Sequence, residues 1–160
     1  MNNKEALGKT WFVDIDGTIF EDKLNTEIDD MIQTYGDDSH LQEIPLKQAI
    51  EFFRDLPKRD KIIITTARES HMIPHTLRAL AHFNMPYDDY IFDLARGPRV
   101  VVNDIKPAGS DVNKQDLDTA YAINVTRNSE DDIYNQYRFI ESIYNNQING
   151  TSPAQKLLEE

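Results

Sequence analysis

Apolar residues in this chain fall into two kinds of pattern. Short continuous runs bounded by polar or turn residues are predicted as strands: Thr10 to Ile15, Lys61-Ile62-Ile63-Ile64-Thr65, Tyr90-Ile91-Phe92, Val100-Val101-Val102 and Tyr121-Ala122-Ile123-Asn124-Val125. The second run, three isoleucines in a row, has the character of a strand buried on both faces. Between these lie stretches with helical spacing. Leu46, Ala49, Ile50, Phe53 and Leu56 predict a helix over 46–56, ended by the turn Pro57-Lys58-Arg59-Asp60. Leu77, Leu80 and Phe83 predict another within 72–83, with Pro74 tolerated only in its first turn. Ile133, Tyr137, Ile140 and Tyr144 form the stripe of a last helix from about Ser129, a candidate N-cap, to Asn145.

Strands alternating with helices predict an α/β fold: a Rossmann-like, mostly parallel sheet flanked by helices, in a single core domain over 1–146 with a polar tail over 147–160. The segment 20–45 fits neither period well. It is acidic and too small for a domain, and is expected to be a flap, a small lid or a plain surface loop, so the cap over the core is small or absent.

Composition narrows the function classes. With 160 residues, 39% of them hydrophobic, the chain can bury a core, and no run nears the roughly 20 apolar residues of a membrane helix. The opening Met1-Asn2-Asn3-Lys4-Glu5 lacks the layout of a signal peptide. The absence of cysteine rules out disulfides and thiolate metal sites, and suits a cytoplasmic setting. A formal net charge of −11 argues against a nucleic-acid partner. The expectation is an enzyme with a small substrate and no membrane attachment.

The candidate chemistry sits at strand ends, where open parallel sheets bind ligands. The first strand runs into Asp14-Ile15-Asp16-Gly17-Thr18, two acids one residue apart followed by a glycine and a hydroxyl. A helix cap or Asx-turn would need only one of those acids. Thr66, in Thr65-Thr66-Ala67-Arg68, follows the second strand, and Asp104, in Val102-Asn103-Asp104, follows the fourth.

In that order these residues resemble the motifs of the haloacid dehalogenase-like superfamily, most of whose members are phosphatases. The resemblance covers about residues 10–127. It implies a magnesium-dependent phosphoric monoester hydrolase acting on a small phosphorylated metabolite, such as a sugar phosphate, through an aspartyl-phosphate. Asp14 would be the nucleophile and Asp16 the general acid and base, with Thr18 bracing the acids and Thr66 donating to phosphoryl oxygens. Mg²⁺ would be held by Asp14, the backbone carbonyl of Asp16 and Asp104, relieving the repulsion among carboxylates and phosphate. The superfamily also carries a Lys or Arg that neutralises the phosphoryl group. Arg99 is the first candidate here and Lys106 the second. The pair Asn103-Asp104 departs from the two adjacent acids that many members carry.

Other residues divide between chemistry and packing. Arg68 pairs either with substrate phosphate or with Glu69. His71 and His75, spaced i, i+4, lack an evident third ligand and are expected to face solvent. Arg127 is expected to be a surface cation, and Trp11 and the tyrosines of the last helix to pack in the core or at its edges. The alternatives to a phosphatase are a phosphotransferase or phosphomutase, which needs a closed lid to exclude water; a receiver-type domain, which keeps its acceptor aspartate alone after a middle strand; and a pseudoenzyme that binds phosphate without turnover.

Overall fold

The computed structural model describes residues 7–150. The protein is mixed α/β, and its contacts divide it into two units. The larger comprises Gly8–Pro98 and Val125–Tyr134; the described residues of the smaller are 7, 99–124 and 135–150.

The larger unit is built on three parallel strands in the order β1-β2-β3: β1 Thr10–Val13, β2 Lys61–Thr65 and β3 Asp89–Ile91. Trp11 lies opposite Ile62 and Val13 opposite Ile64, while Ile64 pairs on its other side with Tyr90. The isoleucine run is therefore the central strand, with Ile64 fully buried. At the entry to the sheet, buried Asp60 accepts hydrogen bonds from the Lys9 backbone N–H at 3.0 Å and from Trp11 Nε1 at 2.9 Å. Those bonds satisfy a carboxylate that would otherwise be costly to enclose.

Between β1 and β2 lie α1 (Asn25–Tyr35), a 3₁₀ helix (Gly36–Gln42) and α2 (Lys47–Asp55). The segment 20–45 is thus mostly helical. Its base is closed by backbone hydrogen bonds from Glu21 to Ile44 at 2.9 Å and from Leu46 to Ile19 at 2.9 Å. Helix α2 turns Ala49, Phe52 and Phe53 inward and leaves Ile50 exposed, a rotation of the face expected from spacing alone. Gln48 accounts for the rotation. It is fully buried, accepts the Ile133 N–H at 2.8 Å and sends its amide towards the Thr18 carbonyl at 3.4 Å. After β2 come a short 3₁₀ turn (Ser70–Met72) and α3 (Ile73–His82), with Pro74 in the first turn, where its missing N–H costs nothing.

In the smaller unit the structure corrects the expected fourth and fifth strands. Val100, Val101 and Val102 are exposed and form no strand, and neither does 121–125. β-branched composition favours a strand only where a neighbour completes its ladder. The ladder forms instead between β4 (Ile105–Lys106) and β5 (Leu117–Asp118), which are antiparallel. Their connection is held by buried Asn113, whose amide donates to the carbonyls of Pro107 at 3.0 Å and Gln115 at 2.7 Å. The last helix, α4 (Asp132–Asn149), runs past the expected end at Asn145, with Ile133, Ile140 and Tyr144 buried. Residues 151–160, the remainder of the expected tail, lie outside the described residues. Among those described, no helix is long and apolar enough to cross a membrane.

Candidate active site

Because β1 and β2 run parallel, Asp14 and Asp16 leave the sheet at the same, carboxyl-terminal end as Thr66. The turn after β1 folds around one acceptor: the backbone N–H groups of Thr18, Ile19 and Phe20 all donate to the Ile15 carbonyl, at 3.1, 2.9 and 3.2 Å. Ile15, Ile19 and Phe20 are fully buried, so apolar anchors hold the acids at the surface of a packed core. Alternation does the rest: Ile15 points inward, while Asp14 and Asp16 on either side of it remain partly exposed. Thr18 Oγ1 donates to Asp14 Oδ2 at 3.2 Å, the bracing contact expected of that hydroxyl.

Gly17 sits at φ +78°, in the left-handed region, and a Cβ there would meet Arg127 Cγ at 3.0 Å. Its carbonyl accepts the Asn128 N–H at 2.9 Å, and Asn128 Oδ1 accepts the Asp22 N–H at 2.7 Å. Arg127, expected at the surface, is indeed exposed at its side chain, yet it lies over this turn and pairs with Asp22 at 3.2 Å. Gly17→Ala should therefore lower stability by about 1–2 kcal/mol from the backbone conformation alone. Urea unfolding with an unchanged midpoint would refute that.

Thr66 is buried. Its N–H donates to the Ile91 carbonyl at 3.0 Å, and its Oγ1 accepts the Arg68 N–H at 3.0 Å, which leaves the hydroxyl hydrogen to donate elsewhere. Arg68, expected to meet either a phosphate or Glu69, turns instead into the protein, to Asp16, Glu43 and Thr76. Its side chain is fully buried and binds Asp16 in a two-pronged pair, Nε to Oδ2 at 3.0 Å and Nη2 to Oδ1 at 2.8 Å. Nη2 also donates to Glu43 Oε1 at 2.9 Å, and Nη1 to Thr76 Oγ1 at 3.1 Å. Such enclosure gives the guanidinium no open face for a phosphate and makes it a partner of the acid instead.

His75 corrects another expectation. It is buried, not solvent-facing, with Nε2 2.9 Å from Glu43 Oε1 and Nδ1 2.7 Å from Ser39 Oγ. An ionised Glu43 only accepts, so Nε2 carries a hydrogen towards it, and Nδ1 shares a hydrogen bond with the Ser39 hydroxyl. Burial pushes the Glu43 carboxyl up. The His75 hydrogen bond and the charges of Arg68 and Lys23 outweigh it and hold the group below the ordinary glutamate value. Arg68 is disfavoured by burial, but its bonds to Asp16 and the charges of Glu43 and Asp16 raise its pKa above the usual arginine value.

His71 is exposed as expected. It meets Asp29 of α1 at 2.6 Å, and that hydrogen bond, with the nearby charge of Asp29, raises its pKa. An NMR titration should give a midpoint above about 6.5, falling back in Asp29→Asn. The folded value is the higher one, so the contact stabilises fully below the ordinary histidine value and fades as pH rises through the folded one.

Arg99, Asp104 and Lys106 belong to the smaller unit. Arg99 and Asp104 are exposed; the Asp104 N–H donates to Asn103 Oδ1 at 3.0 Å, and Lys106, in β4, faces Asp111 at 3.9 Å. Among the described residues, no group of three or more His, Cys, Asp or Glu side chains gathers to hold a metal ion. The donors at the turn are nonetheless all hard oxygens. Magnesium commonly takes only one or two carboxylates from protein and completes its shell with water and phosphate, so Asp14 and the Asp16 carbonyl suit it as a partial set.

Glu43, His75 and Gln48 were not foreseen as parts of this site. No family model matches the chain, and no match is found among curated proteins or solved structures.

Proposed function

We propose that the protein is a magnesium-dependent phosphoric monoester hydrolase of the haloacid dehalogenase-like type, its three-stranded parallel sheet being the core of a Rossmann-like domain. One observation carries the reading: two acids leave a parallel strand on a turn anchored by buried apolar residues, one braced by a hydroxyl and the other by a guanidinium, beside a second strand ending in a threonine.

In this reading an Asp14 carboxylate oxygen attacks phosphorus as the bond to the leaving oxygen breaks, and Asp16 gives that oxygen a proton. Asp16 then takes a proton from water, whose oxygen attacks phosphorus. The P–O bond to Asp14 breaks and inorganic phosphate is released. A carboxylate has about four lone-pair directions. Arg68 uses two on Asp16, leaving an outward side, 18% exposed, for proton exchange. Thr66 donates to the phosphoryl oxygens. Arg99, or else Lys106, would balance the phosphoryl charge, an assignment that rests on the sequence resemblance.

Asp14 and the Asp16 carbonyl would hold Mg²⁺, with Asp104 as the third ligand implied by the resemblance; the bound ion would supply charge compensation to the phosphate and carboxylates. The substrate is a small phosphate monoester.

The direct test is phosphate release from p-nitrophenyl phosphate with Mg²⁺, followed by excess EDTA. Release that EDTA abolishes and Mg²⁺ restores is expected. Phosphate binding without turnover would favour the non-catalytic reading, and neither binding nor release would overturn both.

A further inference from the structure

We propose, resting on the phosphatase reading above, that Arg68 clamped by Glu43 is a positioning device for Asp16, and that the contribution of segment 20–45 to catalysis is this fixed carboxylate. Four contacts on three sides fix the guanidinium: both Asp16 oxygens, Glu43 Oε1 and Thr76 Oγ1. A planar fork that binds a carboxylate with two hydrogen bonds sets both the position and the tilt of that group, which a single point charge does not.

Glu43 is what keeps the fork in place. Its Oε1 accepts from Arg68 and from His75, and His75 is held in turn by Ser39 of the 3₁₀ helix. Its other oxygen, Oε2, makes no hydrogen bond and faces Lys23 Nζ at 3.9 Å. Two carboxylates, one guanidinium and one ammonium thus gather beside His75, the four drawn from the turn after β1, from the loop after β2 and from the inserted segment. The side chains of Arg68 and Glu43 are both fully buried, an expensive arrangement for charges whose only purpose is packing. The segment is pinned at its base by the Glu21–Ile44 bond, and at α1 by the Asn25 amide on the Ala67 carbonyl at 3.3 Å and by Asp29 on His71. That is the bracing of a scaffold rather than of a lid.

A device that aims a proton donor has a signature that general loosening lacks: dependence on the leaving group. An alkoxide needs a proton as it departs; p-nitrophenolate does not. The experiment compares an alkyl phosphate with p-nitrophenyl phosphate, reading the first-turnover release of each alcohol in wild type, Arg68→Lys and Glu43→Gln. Circular dichroism and a melting curve confirm that each variant is folded. Arg68→Lys keeps the charge but loses the fork, and should slow alkyl ester cleavage by about 10²-fold or more while changing the p-nitrophenol burst by less than about tenfold. Glu43→Gln should show the same selectivity, more weakly. Equal loss on both esters, or no loss on either, overturns the positioning role while leaving the phosphatase reading intact. A wild-type protein inert to both esters removes that reading and this one with it.

Discussion

Asp14→Asn is expected to reduce phosphate release to background, a loss of at least about 10³-fold, because the substitution keeps the size of the side chain and removes the anionic oxygen that attacks phosphorus. The surroundings should tolerate it. Asp14 is partly exposed, and Thr18 Oγ1 can donate to an amide oxygen as it does to Oδ2 at 3.2 Å. The variant should therefore melt close to wild type, which separates lost chemistry from lost fold. Asp16→Asn should act differently. Proton transfer contributes about 10²–10⁴-fold, least where the leaving group needs no proton. Asp16 also neutralises buried Arg68, so this variant should be less stable as well as slower. Incubation of the wild type with substrate, acid quench and peptide mass measurement should find a phosphoryl group on the peptide containing Asp14. Wild-type turnover in Asp14→Asn would end the nucleophile assignment whatever the other variants do.

The parts of the fold legible in sequence were those whose pattern is set locally. Lys61–Thr65 forms a strand with the predicted bounds because an isoleucine run can satisfy itself only between two neighbours. Helices α2 and α3 begin and end within a residue or so of their predicted limits, apart from the 3₁₀ turn before Ile73. What failed depended on partners distant in sequence. Val100–Val102 has strand composition, but composition does not supply an adjacent edge; the short β4–β5 ladder depends on Asn113 bridging three carbonyls, a contact with no periodic signal. Segment 20–45 reads as a flap, a small lid or a surface loop because its apolar spacing is weak. Its order comes from its closed base and from polar contacts with α3 and the loop after β2.

At the candidate site, the two acids, Thr18 and Thr66 stand out in the sequence because polar residues at the ends of apolar strands conflict with simple burial, and the fold brings them to the same end of the sheet. Glu43 and His75 carried no such conflict. An acid in an acidic segment and a histidine on a helix are ordinary in sequence, and only the fold brings them to one guanidinium. Arg68 illustrates the same limit. Its place two residues after Thr66 suggested a phosphate ligand or a Glu69 pair, whereas its length lets it reach inward to Asp16. The direction of a long side chain is set by tertiary packing, which spacing along the chain does not encode.

That cluster carries the second large effect. Arg68→Met should destabilise the larger unit by about 3–5 kcal/mol, because it leaves the Glu43 carboxylate buried and Asp16 largely so, without their shared cation. Adding Glu43→Gln to Arg68→Met should return part of that loss, since the double variant no longer buries an uncompensated charge. The two costs should therefore be non-additive by more than about 1 kcal/mol in a double-mutant cycle read by urea unfolding. The pH dependence follows from Glu43, whose folded pKa lies below its unfolded one. Its contribution is present in full above the ordinary glutamate value and disappears as pH falls through the lower folded value. Wild type should accordingly lose stability on acidification through that window, and Glu43→Gln should lose less. In Arg68→Met the carboxyl has lost a major cation while its burial remains, so its protonation should move upward and recover some stability in mild acid. Strictly additive costs, or identical acid limbs for wild type and Glu43→Gln, would mean that the buried charges contribute independently, and the cluster would no longer count as a single unit.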